Sequence, residues 1–210
     1  LSKKFHNIHD FCIAKNVRKL REGGLGIFIT SNGTLDNSKK LRDWIVNEGG
    51  ADFVGAFRMH NKTFGGAGVT SDIVVIRKRV NGQKSVHVID VSDVSGERMA
   101  EYDTGETRKV KGKETPVIKQ LSMDYNRYFI EHPENMAGEM HFAFEKGDTF
   151  RPTSKGLYPK QDKKQEEMLA EFVRSFRAEE FGERNTEVIT DVMPGKKIGE
   201  VFVKDGKLYI

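Results

Sequence analysis

The chain of 210 residues has one cysteine, Cys12, one tryptophan and five prolines that are never adjacent. A lone cysteine excludes an intrachain disulfide and a cysteine cluster that holds zinc. It suits a reducing compartment, so we expect a cytoplasmic protein. No apolar run approaches the roughly 20 residues that a membrane-spanning helix needs. The sequence therefore predicts neither a disulfide scaffold nor a transmembrane helix.

A strong charge of one sign is also absent. The 35 Lys and Arg residues nearly balance the 31 Asp and Glu residues, which leaves a net charge of +4 and a pI near 9.0. This mild basic excess permits a nucleic-acid partner but does not demand one. The 14 Phe and 5 Tyr residues argue against general disorder and predict a chain with a hydrophobic core.

Residues 5–79 alternate between helical and strand patterns. The first predicted helix is "HNIHDFCIAKNVRKLREGG", with an apolar face at Ile8, Phe11 and Cys12, and the buried strand "LGIFIT" follows it. The next helix, "SKKLRDWIVNEGG", precedes the strands "ADFVGAFRM" and "VTSDIVVIRKR" and has an apolar face at Leu41, Trp44 and Ile45. Alternating helices and strands indicate an α/β layered unit. Because no helix separates the last two strands, they predict an antiparallel pair at one edge of an otherwise parallel sheet.

The remaining residues, 81–210, predict an α+β accessory region. Residues 81–121 are interpreted as largely loop: "KSVHVIDVS" is a further strand candidate, while "GERMAEYDTGETRKVKGKETP" is charged, nearly without apolar residues, and indicates a surface loop. Residues 159–181 predict a helix, and residues 199–210 predict a hairpin with an Asp-Gly turn. The helix has an apolar stripe at Met168, Leu169, Phe172, Val173 and Phe176.

The Gly-rich stretch lies within "FRMHNKTFGGAGVTSDIVVIRKR", residues 57–79. It lacks the Lys-Ser/Thr of a P-loop and leads into a strand, whereas phosphate loops lead into helices. A phosphate cradle is therefore disfavoured. Phe64 either plugs the sheet edge or presents its ring to a planar ligand. His6 and His9 have metal-ligand spacing on a helix, but no third ligand is evident, so no metal site is predicted.

The chain resembles the N6-adenine DNA methyltransferases, above all the large, helicase-fused proteins of bacterial mobile elements. The resemblance rests on "KKFHNIHDFCIAKNVRKLREGGLGIFITSNGTLDNSKKLRDWIV", on "GAFRMHNKTFGGAGVTSDIVVIRKR" and on "NRYFIEHPENMAGEM", and it touches the C-terminal "KDGKLY". It implies that residues 1–80 form the second half of a Rossmann-like, S-adenosylmethionine-dependent methyltransferase sheet. Such a sheet has seven strands, mostly parallel, with one antiparallel edge strand.

The resemblance also implies which residues contact DNA. An adenine must leave the base stack before its N6 can react, so these enzymes flip it into a pocket. Phe64 matches the aromatic residue that stacks on the flipped adenine, and Asn61, Thr70 and Ser71 would lie on the pocket rim. The basic run Arg77, Lys78 and Arg79 would contact the DNA backbone.

Two motifs of the family are absent from the sequence. These are the Gly-rich loop that binds S-adenosylmethionine and the Asn/Asp-Pro-Pro-aromatic motif that holds the target amino group. We therefore expect an intact enzyme that uses S-adenosylmethionine, while this chain has no catalytic residue, binds no cofactor and is inactive alone. Its expected partners are DNA and the missing N-terminal half of the catalytic domain, with a homodimer through an exposed sheet edge as a further expectation.

Two alternatives stay open. In the first alternative, the chain is a non-catalytic DNA-binding or assembly module of a restriction-modification or mobile-element protein. The weaker alternative is an unrelated α/β enzyme whose site the sequence does not reveal.

Overall fold

The computed structural model describes residues 4–5, 7–61, 63–64, 68–144, 152–159, 164–176, 202–204 and 207–209. These residues form a mixed α/β structure with five α-helices and nine strands. The helices are α1 (Ile8–Lys19), α2 (Gly33–Asp36), α3 (Lys39–Asn47), α4 (Arg127–Glu131) and α5 (Gln165–Ser175). The strands are β1 (Leu25–Ser31), β2 (Ala51–Met59), β3 (Ser71–Lys78), β4 (Val94–Val110), β5 (Lys113–Asn126), β6 (Gly138–Phe144), β7 (Pro152–Pro159), β8 (Phe202–Lys204) and β9 (Lys207–Tyr209).

The predicted helix–strand alternation of the first 80 residues is present, and its strands form one three-stranded sheet in the order β1-β3-β2. Strand β3 runs antiparallel to both neighbours, so β1 and β2 point the same way on either side of it. The helices α2 and α3 connect β1 to β2 and leave a gap one strand wide. The short link after β2 then folds β3 back into that gap.

The α/β class is therefore confirmed, but the predicted strand arrangement differs. The last two strands are an antiparallel pair, as expected, yet β3 lies in the middle of the sheet rather than at its edge. Among the described residues no two neighbouring strands of a sheet are parallel. The pattern of apolar runs fixed which segments are strands, whereas their order depends on where the crossover helices lie.

Strand β2 is buried along all nine residues although β3 is its only strand neighbour in the described part of the chain. Its outer edge is covered by chain segments: the Ile89 N–H donates to the Phe53 carbonyl at 2.9 Å, and the Ala137 N–H donates to the Arg58 carbonyl at 2.9 Å. Such cover removes the unpaired edge that would otherwise invite association.

Helix α1 turns a different face to the core than the sequence predicted. Its buried residues are Asp10, Ile13, Ala14 and Val17, while Ile8 and Cys12 are exposed. The buried set follows the 3.6-residue period as well as the predicted set does, and packing on α3 and β1 selected it. The predicted face of α3 is confirmed, because Leu41, Trp44 and Ile45 are all buried.

Residues 81–121, predicted as a loop, contain most of a long antiparallel hairpin. Strands β4 and β5 have 17 and 14 residues and pair from Val94–Asn126 to Val110–Lys113. The turn residues Lys111 and Gly112 both have positive φ, of 50° and 81°, which is the backbone of a two-residue type I′ hairpin turn. The loop prediction was wrong because Glu106–Pro116, which is exposed on both strands, shows no apolar alternation that would mark it as strand. The strand candidate "KSVHVIDVS" is not a strand.

The C-terminal elements are confirmed where the structure describes the chain. Within the predicted helix 159–181, α5 spans Gln165–Ser175 and buries Met168 and Phe172, but Val173 of the predicted stripe is exposed. Strands β8 and β9 form the predicted hairpin within 199–210, and its Asp-Gly turn lies outside the described residues.

One hydrophobic core joins the two predicted regions. Phe53, Phe57 and Ile76 of the sheet share it with Met123, Phe129 and Leu157 of the later segments, and all six are essentially inaccessible to solvent. Helix α5 packs on one sheet face, where the rings of Phe57 and Phe172 lie 5.4 Å apart. None of the helices in the described part of the chain is long and apolar enough to cross a membrane.

Gly138 in β6 provides a test of this packing. A Cβ built there would lie 1.9 Å from the Tyr158 carbonyl oxygen of β7, a distance that requires the backbone to move. We expect Gly138→Ala to lower the free energy of unfolding by about 1–3 kcal/mol, the usual range for overpacking. Urea denaturation followed by circular dichroism measures this loss.

The matched control is Gly33→Ala, where a Cβ would meet no atom closer than 3.5 Å. Its stability should stay within about 0.5 kcal/mol of the parent chain, as for ordinary surface substitutions. Equal stabilities of the two variants would contradict the packing of β6 against β7.

Candidate functional site

The candidate site lies at the end of the sheet where β1 and β2 finish. In α/β proteins, ligands bind outside the carboxyl ends of such strands. Here the Asn32 N–H, just after β1, donates to the Thr70 carbonyl at 3.1 Å, just before β3. The Gly-rich loop leaves β2 and enters β3 at this same end, so it shares the edge with the turn after β1.

A buried ion cluster lies directly beneath the Gly-rich loop. Arg58, near the end of β2, donates from Nε and Nη2 to the two carboxylate oxygens of Asp72 at 2.8 Å each. Its Nη2 also donates to Asp36 Oδ1 of α2 at 2.8 Å. All three side chains are fully inaccessible to solvent. The cluster therefore ties the strand before the loop to the strand after it, and both to α2.

Two carboxylates share one guanidinium in this cluster. Burial and the neighbouring charges shift the pKa values of Arg58 and Asp72. Desolvation would lower the pKa of Arg58, but the charges of Asp72 and Asp36 outweigh it and raise that pKa above its ordinary value. Desolvation raises the pKa of Asp72, Arg58 opposes the shift, and the nearby Asp36 adds to it. Arg58 thus stays charged, while proton binding at Asp72 is favoured.

The cluster also holds the base of the β4–β5 hairpin. The Asn126 N–H donates to Asp36 Oδ1 at 2.9 Å, and the Asn126 amide donates to the carbonyls of Leu35 and Val91. Its side-chain oxygen accepts from the Tyr128 N–H and caps α4. The Phe129 ring of α4 covers the guanidinium of Arg58, whose Cζ lies 4.3 Å from the ring centroid.

The two ends of the Gly-rich loop are fastened to β7. The Asn61 N–H donates to the Leu157 carbonyl at 2.9 Å, and the Leu157 N–H donates to Thr70 Oγ1 at 2.8 Å. A single residue of β7 therefore bridges the residue that begins the loop and the residue that ends it. Thr70 and Ser71 are both buried, and Ser71 Oγ donates to the Val69 carbonyl at 3.4 Å.

Gln165, the first residue of α5, fastens the start of the loop a second time. Its Oε1 accepts from the His60 N–H at 3.0 Å and from the Thr63 hydroxyl at 2.9 Å. The two hydrogen bonds hold the turn between β2 and Phe64 against a helix more than 100 residues later in the chain.

Phe64 lies outside this network of contacts and is 43% exposed. A Phe that is half in water next to a braced turn offers a flat apolar face. Asn61 Oδ1 is buried and has no hydrogen-bond partner among the described residues. Because this oxygen is closed to solvent, the exposed Phe64 ring is the group that a planar ligand meets first. Residues 65–67 of the loop lie outside the described residues.

The structure thus brings four of the sequence-predicted residues, Asn61, Phe64, Thr70 and Ser71, to one end of the sheet. It gives the predicted DNA-backbone residues other contacts. Arg79 forms an ion pair with Asp52 at 2.6 Å, Lys78 donates to the Gly49 carbonyl, and Arg77 is buried and donates to the Gly23 carbonyl at 3.5 Å. These contacts hold all three side chains against the protein, a geometry that does not favour phosphate binding.

Sequence reasoning missed Arg58, Asp72, Asp36, Asn126 and Gln165. A signal existed for the first two, because Arg58 follows the apolar run of β2 and Asp72 directly precedes the apolar run of β3. Charged residues are almost never fully buried unless they are paired, so opposite charges on two neighbouring strands indicate a pair. No local signal marks the contact of Asn126 with Asp36 or that of Gln165 with His60, because these pairs are 90 and 105 residues apart.

A polar cleft of about 190 Å³ lies at the base of the β4–β5 hairpin, away from Phe64. It is lined by Asp90, Asp93, Arg127 and Glu131. Arg127 Nε donates to Glu131 Oε1 at 2.7 Å, so two of its four charges are paired. No group of three or more metal-ligating side chains occurs among residues that the structure describes, and His9 lies against Asp10 at 3.2 Å.

No protein-family model matches the chain, and neither the curated proteins nor the solved structures contain a match to it.

The ion cluster predicts a pH-dependent loss of stability in Arg58→Met. Removing the guanidinium leaves two buried carboxylates without their cation, so we expect the free energy of unfolding to fall by about 3–5 kcal/mol at pH 7. A carboxyl group with a raised folded-state pKa contributes stability that is present below its unfolded pKa of about 3.9 and is lost as pH rises. The loss should therefore be smaller at pH 5 than at pH 7, as urea denaturation at both values would measure.

The control is Arg79→Met. Its partner Asp52 keeps the Ser85 N–H at 2.8 Å, and the Arg79 side chain is partly exposed. We expect a smaller loss than for Arg58→Met. A loss of equal size, or one without pH dependence in Arg58→Met, would contradict the cluster.

Proposed function

We propose that this chain is the C-terminal part of the catalytic domain of an N6-adenine DNA methyltransferase. The intact enzyme transfers the methyl group of S-adenosylmethionine to the N6 of an adenine that has been flipped out of the duplex. The observation that carries the proposal is Phe64, an aromatic side chain that is half exposed in the link that follows the carboxyl end of β2.

The topology of the first 80 residues supports this proposal. Two strands that point the same way, joined by a helical crossover, flank one antiparallel strand. This segment is compatible with a mostly parallel sheet that contains one antiparallel strand, although β3 lies between β1 and β2 rather than at the edge that the resemblance implies. Helices on both faces of the sheet agree with the same class of fold.

In this proposal the residues of the site have three roles. Phe64 stacks on the flipped adenine, since every base offers a π-face. Asn61 lies on the near rim of the pocket, where the Leu157 carbonyl holds its N–H. Thr70 and Ser71 form the far rim and keep the loop in place through Leu157 and Val69.

The described residues do not fit S-adenosylmethionine. The Gly-rich loop runs into β3 rather than into a helix N-terminus, and α2 after β1 has only four residues. We therefore assign no cofactor-binding residue and derive no chemical step from this chain. The methyl donor and the groups that hold the adenine amino nitrogen belong, in this proposal, to the N-terminal half of the domain.

The test of the proposal uses a duplex with 2-aminopurine at a mismatched position, because a mismatch lowers the energy needed to flip the base. We expect the fluorescence to rise when the chain binds. Phe64→Ala should weaken the fluorescent complex by about 1–3 kcal/mol, or roughly 5- to 150-fold, the usual value for stacking on one base. With tritiated S-adenosylmethionine and adenine-rich DNA, the chain alone should transfer no label.

The matched control for Phe64→Ala is Val69→Ala, an exposed apolar residue at the other end of the same loop. It should leave the fluorescence titration unchanged. If both variants behave alike, Phe64 is not the base platform. Clear methyl transfer by the chain alone would contradict the assignment of the catalytic groups to another segment.

A second candidate function, an assembly module, is favoured by the outer edge of β1. This strand pairs only with β3 among the described residues, and Ile27 and Ile29 are 66% and 63% exposed on one of its faces. An unpaired strand edge with adjacent apolar side chains is a place where another chain adds a strand. In the methyltransferase proposal the N-terminal half of the domain occupies this edge, and in the assembly proposal a second copy does so.

The double variant Ile27→Ser/Ile29→Ser tests whether the outer edge of β1 is the surface through which the chain associates. We expect the parent chain to self-associate at tens of micromolar concentration and the variant to stay monomeric, because the apolar area that drives strand addition is removed. Sedimentation velocity measures both. Val86→Ser/Val88→Ser, which changes two exposed valines elsewhere, is the control and should associate like the parent. Unchanged association of the Ile27/Ile29 variant would exclude the β1 edge.

A further inference from the structure

The β4–β5 hairpin forms an arm whose tip is separate from every site described above. Its base is in the core, where Met123, Tyr125 and Asn126 are buried. All eleven residues from Glu106 to Pro116 are exposed, so the tip projects into solvent. At about 3.4 Å per residue, the tip lies on the order of 30 Å beyond Met123.

The charge of the arm is concentrated at its tip. Residues 107–113 contain four basic residues and no acidic one: Arg108, Lys109, Lys111 and Lys113. Lys109 faces Glu114 across the hairpin, whereas Arg108 faces Thr115 and Lys113 faces Val110. Three cations, those of Arg108, Lys111 and Lys113, therefore have no acidic residue opposite them in the ribbon register.

The backbone of the turn places one of these cations at the apex. Lys111 adopts φ of 50°, in the left-handed region where Asn, Asp and Gly are preferred. A lysine at this position gives up some turn stability and puts an ammonium group at the extreme end of the arm. The cost is small and is consistent with a binding role for that charge.

The composition of the tip disfavours a protein partner. Cores of protein interfaces are depleted in charge and enriched in aromatic residues. Between Glu106 and Pro116 there is no aromatic residue, and Val110 is the one branched aliphatic side chain. A polyanion surface, bound through lysine and arginine, fits this composition better.

The shape of the arm, a two-stranded ribbon, favours duplex DNA over duplex RNA as the polyanion. The major groove of B-form DNA is about 12 Å wide and admits a two-stranded β-ribbon. The major groove of A-form RNA is deep and narrow and does not. An isolated ribbon is only marginally stable in water, so a groove that contacts both of its faces would also order it.

We propose that the β4–β5 arm is a second DNA-binding element, which enters the major groove of duplex DNA and contacts phosphates through Arg108, Lys111 and Lys113. The inference rests on the proposed DNA partner but not on base flipping or methyl transfer. It assigns the contact with the DNA phosphates to the tip of the arm rather than to Arg77, Lys78 and Arg79, whose side chains are held against the protein.

The test measures binding of the chain to a 24-base-pair duplex that contains only G·C pairs, by fluorescence anisotropy over a salt series. Such a duplex has no adenine, so its binding is independent of the proposed adenine pocket. The triple variant Arg108→Gln/Lys111→Asn/Lys113→Gln removes the three cations. Asn at position 111 accepts the left-handed backbone, so the turn is preserved.

We expect the triple variant to bind at least about tenfold more weakly at 0.1 M salt. The slope of log K against log[salt] should become shallower by about 2–3, since each phosphate contact contributes about 0.9. The control variant Lys19→Gln/Lys40→Gln/Lys84→Gln removes the same net charge at exposed positions on α1, on α3 and after β3. Its slope should stay within about one unit of the parent value.

Three results would overturn the proposal: no binding of the parent chain to the G·C duplex, equal slopes for the triple and control variants, or tighter binding to an RNA duplex of the same length. Circular dichroism and thermal unfolding of both variants check that the fold is retained. If the 2-aminopurine fluorescence rises and the triple variant binds the G·C duplex as the parent does, the proposed adenine pocket is supported and DNA binding by the arm is contradicted.

Discussion

The arrangement of the whole site depends on one buried interaction, the ion cluster of Arg58 with Asp72 and Asp36. Burying three charges is expensive, and each ion loses several kcal/mol of hydration that the pairing has to offset. Three hydrogen bonds of 2.8 Å, an N–H from Asn126 on Asp36 and the Phe129 ring over the guanidinium oppose that loss, while Arg58 Nη1 is buried without a hydrogen-bond partner among the described residues. The cluster also favours one strand register, because only one alignment of β2 against β3 brings Arg58 opposite Asp72.

This cluster couples structure to the proposed function through the ends of the Gly-rich loop. Arg58 precedes Asn61 by three residues, and Asp72 follows Thr70 by two, so the ion pair fixes the separation of the strands that carry the loop. Leu157 and Gln165 then brace the loop from the accessory region. The accessory region is thus part of the site and not an appendage, since its β7 and α5 hold the turn from which Phe64 projects.

The two features that we propose for DNA binding differ in the interactions they would use. The proposed adenine pocket has an exposed aromatic ring, on which a flat base would stack. The tip of the arm is exposed and basic, so its proposed affinity would come from counterion release and fall with salt. The two also lie on separate parts of the molecule: the sheet edge is braced by the core, whereas the tip of the arm projects beyond it.

The sequence by itself determined the α/β class, the strands β1 to β3, the buried face of α3, the position of α5 and the C-terminal hairpin. Apolar periodicity and Gly punctuation are local signals, and each of these elements carries one. It did not determine the strand order, the face of α1, the β4–β5 arm or the ion cluster, which the tertiary structure decided. Strand order depends on how crossovers pack, the exposed tip of the arm at Glu106–Pro116 has no apolar alternation, and Asp36 and Asn126 lie far apart along the chain. Phe64 and Asn61 stood out in the sequence because of the Gly-rich loop, whereas the residues that hold them in place became evident only from the contacts of the folded chain.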